Sequence, residues 1–251
     1  TETQMLLKMY KTPEFWYKKN IISKLQIILL YPFSILWTLV DEFKRYFSKT
    51  YKSKLKVVCI GNMTVGGTGK TPFSIYTFKI LKKLGYNPVF LTRGYGGLKK
   101  GPIEVNNSHH FQDVGDESIL LSKVGTTIVS RNRSLGAKFI EKHKDKFNII
   151  IMDDGLQNYQ LKQDIKFLLV DKKLKLGNGY CLPAGPLRQP IERGFKDIDK
   201  IILTGESDKN EKDLFKSFNI PVIKSNIKTT NLPKLKKEKV LAFCGLANPY
   251  K

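Results

Sequence analysis

The sequence has little of what marks several functional classes. It holds three cysteines, Cys59, Cys181 and Cys244, with no C-x-x-C pair, and its three histidines show no metal-ligand spacing. This pattern argues against a disulfide framework or a zinc site, and it is typical of a reducing cytoplasm. The first residues also lack a basic stretch followed by an apolar core, so a cleavable signal peptide is not expected.

Acidic residues are scarce as well. Basic residues outnumber them by 44 to 22, which gives a formal net charge of +22. Such an excess suggests nucleic acid, an anionic membrane or a phosphorylated substrate as partner. Six of the basic residues are arginines, and the lysines are scattered along the chain, as on a solvated surface. There is no RNP-like aromatic motif, zinc-finger spacing or dense arginine tract, so nucleic acid is not expected as a partner.

Long apolar runs are also rare, and the main one lies near the N-terminus. Residues 25–40 contain three polar residues and are interrupted by Pro32, so the run is shorter than the ~20 residues that cross a bilayer. Lysines flank it, and aromatic residues typical of lipid headgroup regions accompany it. We favour a helix that lies in the membrane interface. A buried core helix with a proline kink is the alternative, and a transmembrane span ranks third.

A cluster of glycines, "GNMTVGGTGKTP" at residues 61–72, follows a short apolar run. Glycine costs conformational entropy on folding, so this cluster indicates a backbone path that other residues cannot follow. Residues 54–62 are typical of a strand and residues 71–86 of a helix, which is the context of a P-loop. In that motif the loop amides surround phosphates, the lysine contacts β/γ oxygens and the next hydroxyl ligates Mg²⁺. The predicted nucleotide-binding residues are Gly66, Gly67, Thr68, Gly69, Lys70 and Thr71.

The loop departs from the strict pattern G-x-x-x-x-G-K-[ST], which has glycine at the position of Thr64. A glycine-rich turn without a ligand is therefore an alternative. We favour the P-loop, because G-K-T between a strand and a helix is a specific signal.

A second apolar run, residues 147–155, ends in Asp153 and Asp154. P-loop proteins hold or orient Mg²⁺ with an aspartate at the carboxyl end of such a strand. Alone, the pair would more simply cap the following turn, but beside a P-loop we expect it to face the metal. The predicted metal ligands are Thr71, Asp153 and Asp154.

Further strand-like runs lie at residues 88–97, from 166, at 199–206 and at 238–249. Their alternation with helical stretches predicts an α/β fold, a P-loop NTPase-like parallel sheet with helices on both faces. A chain of 251 residues can bury one large core, with room for part of a second domain. The lysine-rich stretch 228–239 is a plausible domain boundary.

The motifs together resemble the tetraacyldisaccharide 4'-kinase family, the lipid A 4'-kinases. They occur in the family's order over nearly the whole chain: "GNMTVGGTGKTP", "LTRGYGG", "VGDES", "IIMDDGLQNYQL", "GNGYCLPAGPLRQP" and "GLANP". The resemblance implies phosphorylation, with ATP and Mg²⁺, of the 4'-hydroxyl of a tetraacyldisaccharide 1-phosphate to give lipid IVA. It also implies a peripheral enzyme on the cytoplasmic face of the inner membrane, which meets its lipid substrate there.

The resemblance assigns further roles by position. Asp116, in "VGDES", matches the aspartate proposed as catalytic base, and Arg188 matches an arginine of the active cleft. From the residues alone, Asp116 is better explained as the N-cap of the apolar run that follows it. The expected catalytic residues are Asp116, Lys70 and Arg188.

The sequence departs from the family at Leu156, Asn158 and Gln189, where phenylalanine, histidine and glutamate are usual. The resemblance divides the chain into three parts: a membrane-associated segment at 1–50, a P-loop kinase core at 51–230, and the start of a C-terminal lobe at 231–251. The family chain continues past this point, so we expect a lobe that is incomplete here.

A membrane-associated P-loop ATPase that acts as a switch or positioning module is the alternative function. Such ATPases often carry K-G-G-x-G-K-T, and the position of their extra lysine is Val65 here, which counts against them. A basic binding protein without catalysis would leave the glycine loop and the aspartate pair unexplained.

Overall fold

The structure is a computed structural model that describes residues 12–143, 145–205, 215 and 218–226. The predicted strand at 238–249, the connector at 228–239 and the lobe region at 231–251 lie outside these residues. A short 3₁₀ turn, Glu14–Trp16, precedes the helices. The helices are α1 (Ile21–Phe47), α2 (Lys70–Lys83), α3 (Phe111–Val114), α4 (Asp116–Ser122), α5 (Arg133–Glu141) and α6 (Ile191–Phe195).

The strands form one sheet. They are β1 (Lys56–Gly61), β2 (Pro88–Thr92), β3 (Ile103–Glu104), β4 (Thr127–Val129), β5 (Ile149–Asp153), β6 (Ile165–Asp171), β7 (Lys200–Thr204) and β8 (Val222–Ser225). Their order in space is β3-β4-β2-β5-β1-β6-β7-β8. Neighbouring strands are parallel except for β3 and β4. The strands that follow β1 in the chain, β2 to β5, lie on one side of it, and β6 to β8 lie on the other side. In such sheets the ligand crevice is expected at the carboxyl end of the strand where the order switches, here β1.

Helices cover both faces of the sheet, as the sequence predicted. Side chains alternate along each strand, so Cys59 faces one layer and Ile60 the other. The first layer packs against α5 through Ala137 and Ile140. The second packs against α2 and α4, where the Phe78 ring stacks on Phe90 with centroids 4.6 Å apart.

Helix α1 is longer than the apolar run predicted it to be. It begins after Asn20, whose side chain accepts the N–H of Ser23 at 2.7 Å, and it continues through Pro32 to Phe47. The predicted interruption at Pro32 is therefore wrong, because loss of one backbone donor does not end this helix. With 27 residues α1 is about 40 Å long, and it is the helix of the described residues that is long and apolar enough to cross a membrane.

Helix α1 buries polar side chains and exposes apolar ones, which is the reverse of the usual arrangement. The side that faces the core carries Ser23 and Ser34, both buried, with Thr38 and Asp41 farther along. The exposed side carries an apolar stripe at helical spacing, which we call the α1 stripe: Ile22, Leu25, Leu29, Phe33, Leu36, Val40, Phe43 and Phe47. The core-helix alternative is wrong, because these apolar side chains face away from the protein.

Candidate active site

The glycine loop joins the carboxyl end of β1 to the first turn of α2. Gly66 and Gly69 have φ angles of +116° and +85°, where a residue with a side chain would be strained. A Cβ atom added at Gly66 or Gly67 would meet nothing within 4 Å, so the loop backbone borders open space. The Thr68 hydroxyl is buried and has no hydrogen-bond partner among the described residues. The loop therefore has the open backbone and spare polar atom that a phosphate would use.

Lys70 lies at the mouth of this loop and is 8% exposed. Its Nζ atom donates to Oδ1 of Asn62 at 3.3 Å and lies 3.7 Å from Oδ1 of Asp154. Burying an ammonium group is costly unless it is paired. The two oxygen partners hold the cation at the carboxyl end of the sheet, where a phosphate in the loop would meet it.

Asp153 is fully buried at the end of β5, directly beside the first turn of α2. Its Oδ1 accepts a hydrogen bond from Ser74 at 2.7 Å, and its Oδ2 accepts one from Thr71 at 3.3 Å. Burial raises the pKa of Asp153, and the Ser74 hydrogen bond opposes that shift. A cation beside this carboxylate would favour its ionised form, which is what a metal ligand needs.

Asp154 faces a different set of partners. Its two carboxylate oxygens accept from Arg188 at 2.9 and 3.1 Å, and the same arginine donates to Gln157 at 3.3 Å. Burial raises the pKa of Asp154, but the charges of Lys70 and Arg188 outweigh it and lower the pKa below its usual value. Asp154 therefore remains ionised between two cations.

The loop that carries Arg188 runs alongside the glycine loop. The backbone N–H of Arg188 donates to Met63 at 2.7 Å, and the N–H of Val65 donates to Pro186 at 2.9 Å. From the other side, the Thr204 hydroxyl at the end of β7 donates to the Thr68 carbonyl at 3.0 Å. Segments more than a hundred residues apart therefore fix the shape of the glycine loop.

Asp116 is the first residue of α4 and is exposed. Gly115 occupies the cap position, and among the described residues the Asp116 carboxylate accepts only from the adjacent N–H of Glu117, at 2.9 Å. Asp116 is therefore not the N-cap of α4, contrary to the prediction from the residues alone. Burial, reinforced by the charge of Asp153, raises the pKa of Glu117 to about 7. The charges of Asp153, Lys70 and Asp116 all act on Glu117, so the Glu117 carboxyl lies near Lys70 and Asp153.

The structure thus brings most of the predicted residues together. The glycine loop, Lys70, Thr71, Asp153, Asp154 and Arg188 form one connected set. Asp116 is exposed beside Glu117 and forms no hydrogen bond or ion pair with this set among the described residues. Their chemical roles remain predictions. Sequence reasoning missed the polar partners that hold this set, namely Asn62, Ser74 and Gln157, and it missed the nearby Glu117. The position of Ser74, three residues after Thr71 on α2, was the available signal, since such residues share a helix face.

Helix α1 reaches the same site through its polar side. The Trp37 indole donates to the backbone oxygen of Arg188 at 2.9 Å. The Ser34 hydroxyl donates to Cys181 at 2.8 Å and accepts from the N–H of Ala184 at 3.1 Å. Asp41 accepts from Tyr159 at 2.8 Å and pairs with Arg193 at 3.1 Å. The exposed apolar helix is therefore bonded to the loop that carries Arg188.

A metal site made of protein ligands alone is not present in the described part of the chain, since no three His, Cys, Asp or Glu side chains gather around one point. Mg²⁺ does not need such a cage, because it commonly takes one or two protein oxygens together with substrate phosphates and water. Thr71 and Asp153, both oxygen donors beside the glycine loop, fit that requirement.

Comparison with known proteins indicates one family. The family described as "Tetraacyldisaccharide-1-P 4'-kinase" matches residues 26–251. A tetraacyldisaccharide 4'-kinase of Allorhizobium ampelinum is 35% identical over 242 residues, which cover 95% of this chain and 69% of the relative. One from Bartonella tribocorum is 38% identical over 248 residues, covering 95% and 68%. One from Paramagnetospirillum magneticum is 36% identical over 245 residues, covering 96% and 73%.

A solved structure is similar as well. The crystal structure of LpxK from Aquifex aeolicus in complex with ATP matches 79% of this chain and 64% of its own, with 28% identity and a TM-score of 0.64. The predicted α/β fold of P-loop NTPase type is thereby confirmed.

Proposed function

This chain belongs to the tetraacyldisaccharide 4'-kinase family, and we propose that it transfers the γ-phosphoryl group of ATP to the 4'-hydroxyl of a tetraacyldisaccharide 1-phosphate. The product would be lipid IVA, which makes the protein a kinase of lipid A biosynthesis. The observation that carries the proposal is the set of Lys70, Thr71 and Asp153 around an open glycine loop at the carboxyl end of β1.

The glycine loop would hold the nucleotide phosphates. Its amides and the N-terminus of α2 supply positive ends of dipoles, and Lys70 supplies a full charge at the β/γ oxygens. Asn62 and Asp154 position the Lys70 ammonium group before any nucleotide arrives. In phosphoryl transfer the protein carries out little covalent chemistry. Positioning of the phosphates and stabilisation of their charge are therefore its main contributions to catalysis.

Thr71 and Asp153 would hold Mg²⁺, with Asp154 close by. When bound, the ion would neutralise charge on the transferring phosphate. Ser74 keeps the Asp153 carboxylate turned toward Thr71 by occupying its other oxygen. Arg188, fixed by Asp154 and Gln157, would place a planar cation beside the phosphoryl group.

Asp116 would orient the acceptor hydroxyl and take its proton. A sugar hydroxyl is a weak nucleophile, and a carboxylate within hydrogen-bond reach activates it. The exposed position of Asp116, next to Glu117 at the start of α4, suits contact with an incoming lipid headgroup. Asp153 is less suited, because it is buried beneath Thr71 and would be neutralised by the metal.

The α1 stripe would lie in the bilayer interface, on the cytoplasmic face of the inner membrane. A multiply acylated acceptor stays in the bilayer, so the kinase must come to it. An apolar helix flanked by cations binds anionic membranes by apolar burial and by charge together. The polar side of α1, which bonds to the Arg188 loop, would then place the phosphate site next to the headgroups.

The test is ATP turnover with and without the acylated disaccharide 1-phosphate in mixed micelles. We expect ADP release to depend on that acceptor and on its free 4'-hydroxyl. Turnover that is equal without the acceptor, or that responds to empty vesicles alone, would favour the membrane-associated ATPase.

A further inference from the structure

A cavity of about 660 Å³ lies beside the last turn of α1. Asp164 and Lys166, at the amino end of β6, and Asp199, just before β7, form part of its wall. The glycine loop follows the carboxyl end of the parallel strand β1, so the cavity lies toward the opposite edge of the sheet. No residue of the glycine loop lines the cavity, although Asn158 and Gln189, which do, directly follow Gln157 and Arg188 of the candidate site.

The acidic residues of this cavity already have partners. Asp164 accepts the N–H of Val57 at 2.8 Å, and Asp199 accepts the N–H of Lys166 at 2.7 Å. Asp197 pairs with the Lys166 ammonium group at 3.8 Å. These contacts satisfy carboxylate oxygens, but a backbone hydrogen bond does not cancel a charge. The wall holds three carboxylates and five cations, so a net positive charge remains.

Three cations of the wall, by contrast, have no such partner. Arg45, Lys162 and Lys196 line the cavity, and no carboxylate among the described residues lies within 4 Å of their charged groups. A net positive charge around a concave surface favours an anion.

Gln189 supplies a second and independent signal. Its side chain is 4% exposed, lines the cavity, and forms no hydrogen bond with any residue that the structure describes. Buried amides are normally hydrogen-bonded, so this one is available to a ligand. Asn158 adds an amide nitrogen to the same wall, because its oxygen is already used by the N–H groups of Gln160 and Leu161.

The residues next to the cavity indicate which kind of anion it binds. Phe43, Tyr46 and Phe47, on the last two turns of α1 next to Arg45, are all exposed. Aromatic side chains of this kind are enriched at the level of lipid headgroups. The volume lies in the range of small-molecule sites and is more than a lone phosphate ion requires.

We propose that this cavity binds the phosphodiester headgroup of an anionic phospholipid, with Arg45, Lys162 and Lys196 contacting the phosphate and Gln189 contacting headgroup oxygen. The proposal rests on the proposed membrane contact of α1, but not on the kinase reaction. Binding there would fix the end of α1 on the membrane.

The first test is binding to phosphatidylcholine vesicles with and without phosphatidylglycerol, in the absence of ATP and acceptor. We expect Lys162→Gln/Lys196→Gln to lose about tenfold or more of the affinity gained from phosphatidylglycerol. The matched control is Lys82→Gln/Lys83→Gln, the same charge change at exposed positions of the last turn of α2. Equal losses in both pairs would overturn the proposal in favour of general charge attraction.

The second test uses Gln189→Leu and Gln189→Glu, with thermal unfolding to verify the fold. We expect both to reduce binding to phosphatidylglycerol vesicles and to leave binding to pure phosphatidylcholine unchanged. Unchanged binding in both folded variants would overturn the site. Soluble glycerophosphoglycerol should compete more strongly than inorganic phosphate, and equal competition would indicate a free-phosphate site instead. Retained vesicle selectivity without kinase activity would count against the proposed function alone.

Discussion

The glycine-loop region buries charged and polar side chains, whereas helix α1 exposes apolar ones to solvent. Around the loop, Lys70, Thr71 and Asp153 are all less than a tenth exposed. On α1, Leu29 is 73% exposed and Phe43 is 65% exposed, while Ser34 is buried. Buried charge and an exposed apolar stripe are each unfavourable in an isolated water-soluble protein. We infer that each region is shaped for something that the chain does not itself supply: phosphate for the loop and, as proposed above, a bilayer for the helix.

The two regions share one structural element, the loop that carries Arg188. Its backbone bonds to the glycine loop at Met63 and to α1 at Trp37, and its side chain binds Asp154. We expect the helix and the phosphate site to depend on each other through this loop. The predictions below separate the two regions and then test their connection.

The largest effect is expected at Lys70. Lys70→Ala removes the buried cation that we propose contacts the β/γ-phosphates. It should lower turnover by about 10³- to 10⁵-fold, as for other cations that stabilise phosphoryl transfer. It should leave vesicle binding unchanged, because α1 is not altered. Turnover and nucleotide Kd are measured beside Lys83→Ala, an exposed lysine of the same helix. Near-normal activity of Lys70→Ala would contradict the P-loop assignment.

Asp116 should come next. Asp116→Asn keeps the size and the local hydrogen bond of the side chain. If Asp116 is the base, this substitution should lower kcat by about 10²- to 10⁴-fold. Nucleotide Kd should stay within the error of the wild-type value, since the residue lies outside the glycine loop. If kcat is nearly normal, Asp116 has only a structural role at the start of α4.

The membrane side is tested by replacing Leu29, Ile35 and Leu36 with serine. Each buried apolar side chain contributes roughly 1.5–3 kcal/mol, so we expect the vesicle partition coefficient to fall by about 10²-fold or more. All three side chains are exposed, so the fold and the ATP affinity should be kept.

The matched control places serine at Leu84, Leu98 and Leu120, which are equally exposed but lie away from α1. Equal partitioning of the two triple variants would show that the α1 stripe does not contact the membrane.

The smallest effect is expected for the hydrogen bond that connects α1 to the loop carrying Arg188. Trp37→Phe keeps the aromatic ring but removes the donor to the Arg188 carbonyl, and a hydrogen bond of this kind is worth about 0.5–1.5 kcal/mol. We expect kcat to fall by about two- to tenfold, with the KM for ATP and vesicle binding unchanged. The same substitution in an Arg188→Ala background should have little further effect, since it acts through Arg188. Full additivity of the two changes would show that α1 and Arg188 act independently.

Much of the phosphate site was predictable because its signals are local. A strand, a glycine cluster and a helix are adjacent in sequence, and an apolar strand that ends in Asp153 needs no long-range information. The alternation of strands and helices likewise indicated the parallel sheet with two covered faces. The carboxyl ends of parallel strands then bring Lys70 and Asp153 to one edge.

What could not be predicted depends on distant partners. The Ser34 contact with Cys181 and the Trp37 contact with Arg188 join residues about 150 positions apart, and no local pattern encodes them. These contacts decide which side of α1 faces the core, and so why its apolar residues are exposed. The length of α1 was also underestimated, because the proline rule describes a local cost that the rest of this helix offsets.

The most direct measurement is the structure of the phosphorylated product. Wild-type protein is incubated with ATP, Mg²⁺ and tetraacyldisaccharide 1-phosphate in phosphatidylglycerol micelles, and the lipid product is examined by ³¹P NMR and mass spectrometry. We predict one additional phosphate monoester at the 4' position, formed by the wild type and missing with Lys70→Ala. ATP hydrolysis without a phosphorylated lipid, or phosphate at another position, would contradict the proposal.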